Sequence, residues 1–384
     1  MMDRTRELSI YIHIPFCVQK CLYCDFLSAP ASDQVRERYA ERLVQEIREE
    51  SRCYENYRVK SVFLGGGTPS LLTPWQITQI MDSVREHYLL EKECEISIEA
   101  NPGTVSADKV TAWKDAGINR VSIGLQSFVD EELRLLGRIH DREDFYRTYD
   151  LIIKSGFSNI NIDLMTAIPG QSKKSCLATL QAVAALEVKP VHVSAYSLII
   201  EEGTAFYRER PVLPDEETER ELYKITCDFL EREGYQRYEI SNYAMPGFAC
   251  RHNQVYWKRG NYAGFGIGAA SMVENVRFSN GRDLASYLEC GPVKEQIQKL
   301  SVEEQMEEFM FLGLRMAEGV SFGEFYHMFG EEIEKVYPGI VEGYVEKGLL
   351  QYLCGADGRR ERIALTKSGI DVSNVVMADF LLTS

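Results

Sequence analysis

Three cysteines stand close together in Cys17-Val-Gln-Lys-Cys21-Leu-Tyr-Cys24, a C-x3-C-x2-C spacing. Thiolates are soft ligands that suit iron–sulfur clusters and zinc. Three of them can each hold one iron of a 4Fe-4S cubane, which leaves the fourth iron open to a small molecule. The plainer alternative is a structural zinc site with His13 or a distant cysteine as fourth ligand. The other seven cysteines, Cys53, Cys94, Cys176, Cys227, Cys250, Cys290 and Cys354, are scattered and read as small packing residues.

Further polar residues fall where apolar, strand-like runs end. Gly65-Gly-Gly67-Thr68-Pro69 follows one run; Gly66, Gly67 and Thr68 can bring backbone N–H groups close to a ligand or simply make a tight turn. Glu99 ends a second run and Gln126 a third, with Arg138 shortly after. Asp163 lies inside an apolar run, where a carboxylate is costly unless paired, and Arg138 is one partner to expect. His140 and His192 read as core or loop histidines. His252-Asn-Gln-Val-Tyr256-Trp257 sets a histidine beside two aromatic rings, a structural cluster or a heme-contacting one, with Cys250 as an alternative ligand.

These residues need a scaffold that gathers strand ends. Strands are expected at 8–15, 59–64, 94–99, 120–126, 159–165, 192–198 and 235–242, each short and rich in β-branched or aromatic residues. Amphipathic helical stretches lie between them, around 39–47, 75–88 and 219–232. Such alternation implies a parallel α/β sheet with right-handed crossovers, a partial or full barrel of the TIM type. Chemistry in that class sits at the loops after the strands. Near 246–257 the rhythm breaks, and from about residue 284 the pattern turns mainly helical, with a hairpin signal at 348–353 and 362–365. The expected organisation is a barrel domain over 1–283 and a small, winged-helix-like domain over 284–384.

Composition narrows the partners. Lys and Arg total 43 against 58 Asp and Glu, a formal charge of −15. Nucleic-acid binding usually shows as a basic face, so no nucleic-acid partner is expected. No apolar run is long enough to span a bilayer, and the N-terminus lacks a signal-peptide core. The expected location is the cytoplasm, where cysteines stay reduced.

Taken with Tyr11-Ile-His-Ile-Pro-Phe-Cys17 and Cys24-Asp-Phe26, the motifs resemble the radical S-adenosylmethionine (SAM) superfamily, in its HemN-like branch, over the whole chain. The resemblance implies a radical SAM barrel with a 4Fe-4S cluster on Cys17, Cys21 and Cys24. SAM contacts then fall to Tyr11, Tyr23, Gly66, Gly67, Thr68 and Glu99. Gln126, Arg138 and Asp163 match cavity residues that in the branch's oxidases bind a second SAM. The branch holds oxygen-independent coproporphyrinogen III oxidases and heme chaperones. The oxidases carry a fourth cysteine where this chain has Phe26, and a long extension ahead of the motif strand. The H-N-x-x-Y-W pattern at 252–257 is typical of the chaperones and implies heme contact by His252. The expected function is therefore a heme chaperone delivering heme to apo-hemoproteins, some of them membrane-bound, with a flavodoxin-like electron donor. The alternatives are decarboxylation of coproporphyrinogen III and, third, radical chemistry on another substrate such as tRNA.

Overall fold

The structure is a computed structural model and describes residues 6–382. Six strands, β1 (Arg6–Ile14), β2 (Tyr57–Gly66), β3 (Leu89–Ala100), β4 (Arg120–Gln126), β5 (Asn159–Thr166) and β6 (His192–Ser197), pair in parallel in sequence order. Helices α1 (Asp33–Glu50), α2 (Pro74–His87), α3 (Ala107–Asp115), α4 (Asp130–Leu135), α5 (Arg142–Lys154) and α6 (Lys173–Ala184) connect them. β4 is buried over its whole length, as a central parallel strand covered on both faces must be. Each of its fully buried Val, Ile and Leu side chains contributes about 1.5–3 kcal/mol. Side-chain caps start the helices: Thr73 and Gln76 form a reciprocal box on α2, and Ser32 accepts from Val35 N–H on α1.

The seventh expected strand, at 235–242, is not a continuation of the parallel series. After α7 (Ala205–Glu209) and α8 (Glu216–Arg232), the chain forms two short pieces, β7 (Gln236–Arg237) and β8 (Asn242–Ala244). β8 runs antiparallel to both β6 and β7. The reversal has a local cause: Glu239 Oε1 accepts from Ser241 N–H at 2.8 Å and from Asn242 Nδ2 at 2.5 Å, folding the segment back. At the other margin, after α9 (Arg251–Trp257), β9 (Tyr262–Phe265) lies parallel to β1. Antiparallel β10 (Ala270–Val273), β11 (Val276–Asn280) and β12 (Lys294–Lys299) extend that side. The twelve-stranded sheet has β12 and β7 as its two edges, so it is a partial barrel. β12 gives no apolar signal in sequence because all six of its residues are exposed.

Beyond β12 the chain builds a second core. Helix α11 (Val302–Gly313), which follows α10 (Leu284–Cys290), packs with further short helices on a three-stranded sheet of β13 (Val320–Ser321), β14 (Leu350–Cys354) and β15 (Arg360–Leu365). Helices plus this hairpin match the winged-helix-like expectation. No helix among the described residues is long and apolar enough to cross a membrane.

Candidate cluster and cofactor site

The cysteine loop leaves the end of β1 and is closed at its base. Cys17 N–H donates to Ala29 C=O at 3.2 Å and Ala29 N–H to Pro15 C=O at 3.0 Å, with Phe16 buried between. Leu22 N–H donates to Leu136 C=O at 3.1 Å and ties the loop to the segment after α4. Cys17, Cys21 and Cys24 are half-buried free thiols on one wall of a cavity of about 120 Å³. Burial pushes the Cys24 thiol up to about 11, so a metal has to displace that proton. Among the described residues, no three His, Cys, Asp or Glu side chains converge on a single-ion site. A cubane takes one thiolate per iron and needs no such convergence. His13, the fourth zinc ligand considered above, has both ring nitrogens engaged: Nδ1 meets Tyr11 Oη at 3.0 Å and Nε2 meets Leu27 C=O at 2.8 Å.

The opposite wall comes from β2 to β5. Gly66, Gly67, Thr68, Glu99, Gln126, Arg138, Asp163 and Tyr23 line the same cavity. Gly66 sits at φ +111°, and a Cβ there would come 2.5 Å from the His13 ring. Its N–H donates to Glu99 Oε2 at 3.0 Å. A Cβ on Gly67 would meet the Phe16 carbonyl oxygen at 2.6 Å, so the turn needs glycine for space. Burial, aided by nearby Asp163, pushes the Glu99 carboxyl up to about 8. Gln126 holds a left-handed φ of 71°, unusual for a residue with a side chain.

The expected Arg138–Asp163 pair does not form. Arg138 Nη2 donates to Asn101 Oδ1 at 2.8 Å and Gly124 C=O at 2.7 Å, and Nη1 lies 3.5 Å from Cys21 Sγ. Asp163 instead accepts from Asn161 Nδ2 at 2.7 Å and Ser122 Oγ at 3.3 Å. Short uncharged donors from neighbouring strands satisfy it, which leaves the arginine to organise the mouth. The sequence reading missed Asn101, which also donates to Thr68 Oγ1 at 2.8 Å. Its signal was the Asn-Pro step just past a strand end, a turn mark.

Helix α9 packs on β2 and β3 through His252 and borders two larger cavities, one with Asn253 and the other with Tyr256. One, about 460 Å³, is lined by Phe26, Glu99, Arg120, Asp163, Tyr196 and Asn253 among others. The other, about 430 Å³, is lined by Tyr11, Phe26, Glu99, Tyr256, Tyr262 and Arg282 among others. Phe26 borders all three cavities and is 58% exposed. His252 lies within α9 at 1% exposure, stacked on Phe63 with ring centres 5.0 Å apart. Ser61 Oγ donates to Ser9, so it accepts from His252 Nδ1–H at 2.9 Å, and Nε2 accepts from the Tyr256 hydroxyl at 2.8 Å. Burial and then Arg120 push the His252 ring down to about 3. Trp257 turns the other way, under Arg315 at 4.3 Å. Cys250 is fully buried, its thiol pushed up to about 12 by burial. His192 and His140 are core histidines, bonded to Asn161 and Tyr238 and to Leu125 C=O respectively.

Comparison with known proteins agrees with this geometry. The Radical SAM superfamily matches residues 11–183 and the HemN C-terminal domain matches residues 300–372. The chain is 35% identical to the heme chaperone HemW of Lactococcus lactis, with 97% of each chain covered. Against the heme chaperone HemW of Bacillus subtilis it is 35% identical, covering 97% of this chain and 99% of the relative. Against that of Escherichia coli it is 42% identical over 74% of each. Its fold is that of the solved coproporphyrinogen III oxidase HemN of Escherichia coli, with a TM-score of 0.84 at 24% identity over 99% of this chain and 91% of the other. The chain therefore belongs to the HemW family, in the HemN-like branch of the radical SAM superfamily.

Proposed function

We propose that this protein binds heme and hands it to apo-hemoproteins. The observation that carries the reading is the identity to heme chaperones over nearly the whole chain. Phe26 supports it: where the oxidases add a cysteine, this chain sets an exposed aromatic ring at the junction of three cavities. Coproporphyrinogen decarboxylation has only a shared fold in its favour.

Cys17, Cys21 and Cys24 fit a 4Fe-4S cluster, one thiolate to each of three irons, and the polar wall facing them shares Glu99 and Phe26 with the 460 and 430 Å³ cavities, which have the room that SAM needs. When bound and reduced, such a cluster supplies one electron to a sulfonium. The chain's own part is to bind, orient and shield. Gly66 and Gly67, packed too tightly against His13 and Phe16 for a Cβ, offer bare backbone on the cavity wall. Thr68, held by Asn101, offers its hydroxyl beside them. Glu99, protonated at neutral pH, can donate to a ribose oxygen as well as accept from it. Arg138 sets positive charge beside Cys21, and Gln126 and Asp163 complete the polar wall. Tyr23, between Cys21 and Cys24, lines the cluster cavity, and Tyr11 lines the 430 Å³ cavity next to it. His252 serves heme by holding Tyr256 on the cavity wall; iron ligation by its ring would require Tyr256 to leave Nε2. The proposed domain division at 283/284 falls ahead of α10 and β12, which belong to the first core and its sheet, whereas the buried residues of the second core begin at Met306. A cytoplasmic location, membrane-bound apo-hemoprotein recipients and a flavodoxin-like donor belong to the same proposal.

The test is an anaerobic heme titration of the reconstituted protein, run beside coproporphyrinogen III with SAM and reductant. Stoichiometric heme binding without protoporphyrinogen is expected. Replacing any of Cys17, Cys21 or Cys24 by Ala should abolish the cluster absorbance. Porphyrinogen turnover, or a full cluster in those variants, contradicts the reading.

A further inference from the structure

Arg120 opens β4 at the end of the barrel opposite the cysteine loop. It is six residues before Gln126, about 20 Å along the strand, and is 2% exposed. Its guanidinium makes no hydrogen bond and no ion pair among the described residues, and its Nε is buried without a partner. A buried arginine without a partner is expensive. The nearest carboxylates, Glu95 and Asp163, balance its charge through space but spend their hydrogen bonds elsewhere. Glu95 accepts from the N–H groups of Arg251 and His252 and from Cys250 Sγ. Asp163 is held by Asn161 and Ser122. The neighbouring rings of His192 and His252 are kept neutral by burial and by Arg120 itself.

This guanidinium, its N–H groups unbonded, lines the 460 Å³ cavity together with the hydroxyls of Ser122, Ser194 and Tyr196 and the amide of Asn161, while the acids Asp25, Glu99, Asp163 and Glu201 border the same space. The volume lies within the roughly 300–1,000 Å³ of small-molecule sites. We propose that Arg120 anchors a carboxylate of the ligand that enters this cavity, at the end remote from the cysteine loop. A planar guanidinium with free N–H groups suits a carboxylate bidentately. Two molecules could present one: a porphyrin through a propionate, in keeping with the heme reading on which that arm rests, or a SAM molecule other than the one beside the cysteines, through its methionine carboxylate.

The test compares acid and neutral forms of each ligand on the reconstituted full-length protein. Heme is titrated against its dimethyl ester by absorbance, and SAM against decarboxylated SAM by calorimetry. Arg120→Met is expected to reduce the acid-over-neutral preference of one pair by at least about tenfold, with neutral-form affinity within about threefold of wild type. Arg120→Lys should keep part of the preference and guards against a Met variant that folds poorly. Loss confined to the heme pair identifies a propionate; loss confined to the SAM pair identifies the methionine carboxylate. Acid preference unchanged in both pairs, in Met or in Lys if only that variant folds, overturns the proposal. Wild type binding neither heme nor its ester sinks the chaperone reading instead and leaves the SAM pair to decide Arg120.

Discussion

Glu99 is half-buried where three cavities meet, and the fold favours its protonated form. Its folded value of about 8 lies above the ordinary 4.5. The contribution it makes to stability is therefore complete below about pH 4.5 and is lost as pH rises through about 8. Glu99→Gln keeps the shape and removes the titration. Its melting temperature should fall less than that of wild type between pH 5 and 8; parallel curves would show that Glu99 is solvated. At this scale the sequence was informative where a polar residue ended a strand, as Glu99 and Gln126 do. It failed on pairing. Arg138 and Asp163 are the obvious complement in sequence, but Asn101 and Asn161, each two residues from a recognised acid, take the bonds instead. Uncharged amides carry no such signal in one dimension.

Among the elements, the first six strands were legible because parallel strands buried on both faces are continuous apolar runs. The seventh failed because 235–242 offers only Tyr235, Tyr238 and Ile240 among polar residues, and Glu239 folds it back through short local bonds. α9 was legible as a motif but not as a barrel insert. Seven residues fix no amphipathic period, and outside the helix itself its polar groups find their partners on β2 and β3. Its Tyr256–His252 bond is the point to probe. Tyr256→Phe leaves Nε2 without its donor and should cost about 1–3 kcal/mol in urea unfolding. If His252 only positions that wall, the heme Soret band of Tyr256→Phe stays at the wild-type wavelength. A shift to a six-coordinate, low-spin spectrum would show the freed imidazole reaching iron.

For the whole molecule, two cores meet where α9 ends. Glu308 of α11 accepts from Arg259 Nε at 3.1 Å and from Arg277 Nη2 at 2.7 Å, while Arg315 covers Trp257. The Arg259 and Glu308 side chains are both nearly buried. Removing one partner of such a pair costs about 3 kcal/mol. Glu308→Ala should therefore split urea unfolding into two steps, with the 302–380 core melting first; a single unshifted transition would show that this contact does not join the cores. The helical second domain was legible from its pattern, whereas the edge strand β12, all exposed, was not. The account as a whole stands on heme delivery. The most direct measurement mixes the reconstituted protein, loaded with one heme, with the apo-form of a b-type hemoprotein, and follows the acceptor's Soret band after separation. The account predicts acceptor reconstitution faster than from free heme, with the cluster absorbance retained by the donor. A protein with an intact cluster that neither retains heme nor passes it on would contradict it.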